Sequence, residues 1–363
     1  MKVVHVFWGL SFGGIETMLV NIVNEQVNLG VGVDIIIVND IVEKSLLKGF
    51  CPEVKVYCLN RKRNSRNLTF ILRLNSLLNR INPDAIHLHG SRFYKMILNK
   101  KLRRKTSLTL HDLPMGEVRR ENWLYRLLPV LNIRETNGNV TFIDEIPRVF
   151  AISQAVRDKL LSKYGVGSVV VNNGIKTSSF RQRTKENVGE LFKMIQVSRL
   201  THDKKGQDLL IDAVAALCGK VDVTFVGEGG SLDFLMKLAK EKGVEKYVHF
   251  EGKKEQSYIA EHLCDYDLFV QPSRYEGFGL TVAEAMAAKV PVLVSSGQGP
   301  AEVTCNDKYG WVFENGDVED LVKKISFIIS HYDIALAKAE TGCQHVVNTY
   351  DVSVTAQRYL DLY

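Results

Sequence analysis

Cysteine offers little here: six are scattered through 363 residues (Cys51, Cys58, Cys218, Cys264, Cys305, Cys343), with no C-x-x-C pair and no histidine at zinc-site intervals. That spacing argues against a disulfide framework or a structural zinc and reads as small buried apolar residues of a reduced cytosolic protein. Uncharged apolar runs are short, none approaching 18 residues, so no transmembrane helix is expected. The opening segment, Met1-Lys2-Val3-Val4-His5-Val6-Phe7-Trp8, runs straight into a glycine turn. It reads as a first core strand and lacks the long apolar region and small-residue cleavage site of a signal peptide. There is no low-complexity tract, no evident internal repeat and no recognised nucleic-acid-binding motif.

What is present is the composition of a soluble globular protein, 45% apolar and 24% charged. The length exceeds what one core usually fills, so two domains are expected. The net charge of +6 is unevenly spread. Residues 1–175 hold 25 Lys and Arg against 14 Asp and Glu, and the remainder 22 against 27, so the basic surface is local to the first half.

Strand-like apolar runs alternate with helix-period segments, the pattern of parallel sheets in an α/β protein. Strands are expected at Val3–Phe7, Val33–Val38, Ala85–His89, Ser107–Leu110, Arg148–Ile152 and Val169–Val171. The regular pattern stops near Asn172-Asn173-Gly174, and the polar residues 176–190 read as a linker. A second series follows at Phe192–Val197, Val221–Val226, Val248–Phe250, Leu268–Val270 and Val290–Val294, ending in a helix near Val352–Leu362. Each half feeds a strand into a glycine turn and a helix, at Gly9–Glu16 and at Val226-Gly227-Glu228-Gly229-Gly230. Neither completes G-x-G-x-x-G, which weakens a dinucleotide reading. Two such units would open a crevice at the carboxyl ends of their strands.

Chemistry concentrates in two segments. Glu276-Gly277-Phe278-Gly279-Leu280-Thr281-Val282-Ala283-Glu284 sets two carboxylates around a glycine turn and a helix start, where unpaired backbone N–H groups favour an anion. The carboxylates suit hydroxyl-rich groups beside that anion. For Glu284 a second reading stands level, because Thr281 to Glu284 matches a capping box. Ser198-Arg199-Leu200-Thr201-His202-Asp203-Lys204-Lys205-Gly206 ends a strand and opens another helix, with Arg199 and Lys205 fit to neutralise a diphosphate. His87 and His89 alternate on one strand face without a convincing third ligand, and Asp265-Tyr266-Asp267 imitates a D-x-D metal motif directly before a buried strand. No metal site is expected at either. Cation clusters (Arg61-Lys62-Arg63 with Arg66, Lys100-Lys101 with Arg103-Arg104-Lys105, and Arg119-Arg120 before Trp123-Leu124-Tyr125) suit either an anionic membrane surface or solvated helix faces.

Together these segments resemble the signatures of retaining glycosyltransferase family 4. The E-x7-E pair is Glu276 and Glu284, the S-R-L…K-G motif holds Arg199 and Lys205, and Phe12-Gly13-Gly14-Ile15-Glu16 resembles the G-G-x-E loop. His111-Asp112 and Asn173-Gly174-Ile175 fall at further family positions. The resemblance implies a GT-B fold of two Rossmann-like parallel-sheet domains facing across a cleft. The acceptor domain would be 1–175 plus a C-terminal helix of about 350–363 crossing back to it, and the donor domain 191–349.

It implies a UDP- or GDP-sugar donor with Arg199 and Lys205 on the diphosphate, Glu276 on the sugar, Glu284 on the ribose and His111 beside the sugar. Gly13 and Gly14 would approach donor or acceptor. Gly227 and Gly229, with Gly277, Phe278, Gly279 and Leu280, would line the nucleotide site. No metal or other cofactor is implied, since cations and a helix dipole take the metal's place. The acceptor would be a glycan or lipid-linked hydroxyl in lipopolysaccharide, capsule or exopolysaccharide synthesis, on a cytoplasmic protein held peripherally at the inner membrane face, with no nucleic-acid partner. A GT-B nucleotide-sugar epimerase, an NAD-dependent oxidoreductase and a non-catalytic sugar-nucleotide sensor are the rival readings.

Overall fold

A computed structural model describes residues 1–11, 13–62, 65, 67–111, 142–186, 188–217 and 219–363. Phe12, Arg63, Arg66, Asp112, Arg119, Arg120, the Trp123-Leu124-Tyr125 segment and Cys218 lie outside the described residues. The chain divides into two compact units, one comprising Met1–Gly174 with Val352–Tyr363, the other Ile175–Asp351.

The first unit is built on seven strands: β1 (Lys2–Phe7), β2 (Gly32–Asn39), β3 (Lys55–Arg61), β4 (Ala85–Leu88), β5 (Thr106–Leu110), β6 (Arg148–Ala151) and β7 (Val169–Val170). Every described pairing is parallel, and the order is β3-β2-β1-β4-β5-β6-β7. The central strands are buried on both faces, and most are rich enough in apolar residues to appear as runs in the sequence, although His5, His87 and Thr109 interrupt them. β3 was not among the expected strands. It is the sheet edge, and from Cys58 to Arg61 its side chains alternate between exposed and buried, so it lacks that continuous apolar run.

The helix Gly14–Asn28 follows β1, and the C-terminal helix Val352–Leu362 packs against it. That last helix buries Tyr359 against Phe150 and His87, with ring centroids 5.3 Å and 4.8 Å away. Thr355 donates to the Asn172 carbonyl at 3.1 Å, over Gly174, where any Cβ would fall 2.6 Å from the Thr355 hydroxyl.

The second unit holds β8 (Phe192–Val197), β9 (Val221–Val226), β10 (Val248–Phe250), β11 (Leu268–Gln271), β12 (Val292–Ser295) and β13 (Trp311–Phe313). They form a parallel sheet of order β10-β9-β8-β11-β12-β13. In both sheets the order reverses beside the first strand of the series, between β1 and β4 and between β8 and β11. Crevices at the carboxyl ends of such strands are where open α/β sheets take ligands.

Residues 176–190 are polar but do not all behave as a free linker. Phe180 is buried, Arg181 N–H donates to the Ala260 carbonyl and Arg183 N–H to that of Ala288. Arg183 is buried and donates to Asp267 at 2.6 Å, while Arg181 reaches Asp265 at 2.6 Å. Both carboxylates of the D-x-D imitation are therefore paired with arginines two residues apart in an opposing segment. Asp267 also accepts from the Lys193 N–H at 2.8 Å and so pins the start of β11 to β8. Polarity alone suggested a tether; the arginines are polar because they answer buried charge.

Removing one member of a buried ion pair strands the other. Arg183→Met is expected to destabilise the second unit by about 3–5 kcal/mol, read as a lower urea midpoint. Adding Asp267→Asn to that variant is expected to recover part of the loss.

Candidate functional site

In the second unit the site is made where the chain leaves β8 and β11. After β8 the backbone passes through Ser198, Arg199 and Leu200, makes one short turn over His202–Lys205, and enters the helix Gln207–Ala216 at Gly206. Gly206 has φ +67°, and a Cβ there would lie 1.9 Å from the Pro272 carbonyl oxygen beyond β11. Only glycine allows the two exits to come that close. Tyr275 N–H donates to the Lys204 carbonyl, and Arg274 donates to Asp208 at 2.6 and 2.8 Å and to the His202 carbonyl at 2.8 Å. These ties fix one loop on the other.

Lys205 Nζ bonds Glu276, with a fifth of each side chain exposed. The structure thus joins two of the residues singled out in the sequence, 71 positions apart. Lys204 is exposed, as is Arg199 at the head of the loop. Glu276 N–H donates to Gln298 Oε1 at 3.1 Å, and its carbonyl accepts from Gly299 N–H at 3.0 Å. The helix Leu280–Ala287 follows, with Gly279 at its N-cap (φ 99°) and no side-chain cap among the described residues. Val282 and Ala283 N–H bond the Gly279 carbonyl, and the N–H groups of Leu280 and Thr281 have no backbone partner among the described residues, which makes this end attractive to an anion.

Glu284 is not a capping residue. The helix begins two residues earlier than a Thr281 cap requires, which places Glu284 in its interior. Its side chain is buried and accepts from Gln256 Nε2 at 2.9 Å. Burial raises its carboxyl from the ordinary value to about 7, against the opposing pull of the Gln256 amide. A buried carboxyl with one donor has capacity for more. Phe278 turns its side chain into the core against Tyr350, 5.4 Å between centroids, leaving only its backbone to any ligand.

Gly227 and Gly229 serve close packing. A Cβ at either would fall 2.0 Å from the Ser198 carbonyl oxygen or 2.1 Å from that of Leu200. They hold the turn after β9 against the Arg199 loop. Gln256, Arg274 and Gln298 carried no motif, and each earns its place only through a partner at least 22 residues away.

The first unit assembles something different at the equivalent place. His5 on β1 and His87 on β4 are register partners across the strand-order reversal. His89 follows β4 and His111 follows β5. The His87 and His89 rings stack 4.6 Å apart at 4°, and those of His89 and His111 5.1 Å apart at 9°. Nitrogens of His5, His87 and His89 lie within 4.8 Å of one another, so the third histidine missing from the sequence reading exists in space. Their ring nitrogens already have partners, however. His5 bonds Gln26 and His89, His89 also bonds His111, and His87 pairs with Tyr363 and Thr109. Lone pairs lie in ring planes, and the stacked planes of His87 and His89 do not aim at a common point. The group is built to hydrogen-bond. Burial holds His5 and His111 down at about 4 and His87 and His89 well below the usual imidazole range.

Gly13 and Gly14 stand at the N-terminus of the helix Gly14–Asn28, where Glu16 accepts from the Ser11 hydroxyl at 2.8 Å. Among the cation clusters, Arg61 is a core residue: it is buried over Trp8 and Phe70 and donates to Asn39. Arg103 donates to the Ile97 carbonyl and Lys105 to that of Pro83, leaving Lys100, Lys101 and Arg104 exposed. No helix of the described residues is long and apolar enough to cross a membrane.

Residues 12–179 match the model of "Glycosyltransferase Family 4" and residues 178–341 that of "Glycosyl transferases group 1". A poly(ribitol-phosphate) alpha-N-acetylglucosaminyltransferase of Staphylococcus aureus is 27% identical over 61% of this chain, which spans only 44% of that relative. The lipopolysaccharide core biosynthesis glycosyltransferase LpsE of Rhizobium meliloti is 26% identical over 100% of this chain and 98% of its own length. Among solved structures, Anabaena HepE in complex with UDP and glucose superposes with a TM-score of 0.80 at 21% identity, covering 100% of this chain and 99% of the other. WaaG, a glycosyltransferase involved in lipopolysaccharide biosynthesis, gives 0.72 at 18%, covering 100% and 99%. Two parallel-sheet units, a first half matching one glycosyltransferase model and a second half matching another lead to one statement: this chain belongs to the family 4 glycosyltransferases of GT-B fold.

Proposed function

We infer that the protein is a retaining, metal-independent glycosyltransferase that moves a sugar from a UDP- or GDP-sugar to a hydroxyl of a glycan or lipid-linked acceptor. The observation carrying this reading is the Lys205–Glu276 pair between the exits of β8 and β11, beside exposed Arg199 and an uncapped helix start. A diphosphate arriving there competes for Lys205 and frees Glu276 to accept hydrogen bonds from sugar hydroxyls. Arg199, Lys205 and the first-turn amides of Leu280–Ala287 then stabilise the charge that grows as the anomeric C–O bond breaks. The acceptor hydroxyl attacks from the side the diphosphate leaves, and its proton passes to the departing phosphate oxygen, which preserves the anomeric configuration. Glu284 accepts from the ribose hydroxyls. The UDP and glucose bound in the HepE structure and the lipopolysaccharide biosynthesis that LpsE and WaaG serve support a nucleotide-sugar donor and a cell-envelope glycan acceptor. We place the protein in the cytoplasm at the inner membrane face, with the exposed Lys100, Lys101 and Arg104 toward anionic lipid.

A mass-spectrometric screen of nucleotide sugars for consumption identifies the donor. With that donor, Arg199→Ala and Lys205→Ala are each expected to lower kcat by about 100-fold or more, the scale of a lost transition-state charge contact. Near-normal rates in both would overturn the reading.

Glu284 sets a pH dependence. Its raised value, about 7, means the buried carboxyl is mostly protonated at pH 6 and mostly ionised at pH 8 in the empty site. The carboxyl's contribution to folding stability is therefore full below about 4.5 and lost as pH rises through about 7. Ribose hydroxyls donating to the carboxylate favour the ionised form, so nucleotide binding at pH 6 is expected to release a proton and to weaken as pH falls. Calorimetry in two buffers of different ionisation enthalpy measures the release, which Glu284→Gln is expected to abolish. For the membrane, sedimentation with phosphatidylglycerol vesicles is expected to exceed that with neutral vesicles, and Lys100→Glu with Lys101→Glu to remove the difference.

A further inference from the structure

Four polar side chains of the first unit form one line, with the Tyr363 side chain also meeting Gln26 at its head. Gln26, buried on the helix Gly14–Asn28, presents Oε1 to His5 Nε2 at 2.9 Å. His5 Nδ1 meets His89 Nε2 at 3.0 Å, and His89 Nδ1 meets His111 Nε2 at 2.8 Å. The line ends at His111 Nδ1, which is shielded from solvent and has no hydrogen-bond partner among the described residues.

The line has a direction. An amide oxygen only accepts, so His5 Nε2 carries the hydrogen. A neutral imidazole carries one hydrogen, which leaves His5 Nδ1 as an acceptor and requires His89 Nε2 to donate to it. By the same step His89 Nδ1 accepts from His111 Nε2–H, and His111 Nδ1 is left as a bare lone pair. The depressed values of all three histidines, caused mainly by burial, keep each ring neutral near pH 7, as a chain of single donors and single acceptors demands. Beside the line, His87 stacks on His89 at 4° while its nitrogens are held by Tyr363 and Thr109. The C-terminal helix therefore braces the middle of the line.

We propose that Gln26, His5 and His89 are positioning residues that lock His111 in its Nε2–H form, so that Nδ1 serves as a dedicated hydrogen-bond acceptor for a hydroxyl of the sugar substrate. The role of the hydroxyl rests on the glycosyltransferase reading above; the locked tautomer does not. A buried acceptor without a partner is costly, and a hydroxyl donating to it removes that cost. A substrate analogue lacking the hydroxyl leaves the cost in place, which makes this lone pair a point of discrimination. Reversing the Gln26 amide would reverse every bond in the line and end it with an N–H at His111. The sense of the line is thus its measurable content.

Long-range ¹⁵N–¹H spectra of the full-length protein at pH 7.5 report each imidazole tautomer, with His111 assigned by the signal lost in His111→Asn. The expected result is an Nε2–H His111 in the wild type. Gln26→Met and His89→Leu, which remove the acceptor at one end and the link in the middle, are expected to give mixed tautomers. His89→Gln keeps one N–H and one carbonyl and is expected to preserve the wild-type tautomer. On the donor found by the screen, Gln26→Met and His89→Leu are expected to lose about tenfold in kcat/KM, the scale of one neutral hydrogen bond, with His89→Gln recovering most of it. An Nδ1–H His111 in the wild type overturns the proposal. So does an unchanged tautomer in both disruptive variants, or equal activity losses in His89→Leu and His89→Gln. If no nucleotide sugar is consumed, the functional reading fails while the spectra still decide the lock.

Discussion

The ion pair between Lys205 and Glu276 is the contact around which the second unit's site is organised. It exists because two parallel strands, β8 and β11, are neighbours at the point where the strand order reverses. Gly206 against Pro272 and Arg274 on Asp208 keep those two exits at a fixed separation, while Gly227 and Gly229 hold the turn after β9 against the Ser198 and Leu200 carbonyls. The pair also neutralises its own two charges. A lysine and a carboxylate that neutralise each other need no counter-ion, and the diphosphate proposed above would exchange one anionic partner for another. Such an exchange avoids the large penalty of leaving a partly buried charge alone.

The first unit uses the same topology with the opposite chemistry. His5 and His87 sit in register across its own strand-order reversal, and the imidazoles of His89 and His111 extend the row. Burial keeps the rings neutral, so the row carries direction in place of charge. The C-terminal helix takes part in this arrangement. Tyr359 and Tyr363 come from the end of the chain, yet their hydroxyls touch Thr109 and His87. A helix that closes the first unit thereby also steadies its polar centre. Charge in the second unit and neutral hydrogen bonds in the first suit the groups proposed for each: a diphosphate and a set of hydroxyls.

Arginines illustrate how differently one residue type is used. Arg199 is exposed at the head of the loop after β8, Arg183 is buried on Asp267, and Arg61 lies over the Trp8 and Phe70 rings. Nothing local distinguishes Arg61 from its neighbour Lys62 or Arg183 from Arg181. Their roles follow from what the sheet brings against them, and a count of basic residues by segment overstates the cationic surface of the first unit accordingly.

The sequence by itself determined the α/β alternation, the positions of the buried central strands, the two glycine turns and the two charged motifs. Each of these is written in a local pattern: continuous apolar runs, spacing within one strand-turn-helix segment, or a glycine at a strand end. It did not show β3, whose edge position gives it no apolar run, nor the arginines that dock residues 176–190. Tertiary structure alone decided three further matters. Glu284 became a buried carboxyl on Gln256 because its helix starts at Gly279 and not after Thr281. Lys205 was separated from Lys204 by which of them faces Glu276. Three histidines and one glutamine from distant positions became one directed line because the parallel strands and the helix after β1 align residues 21 to 84 positions apart. Local preference records how a segment folds; which segments become neighbours is settled only when the sheets close their cores.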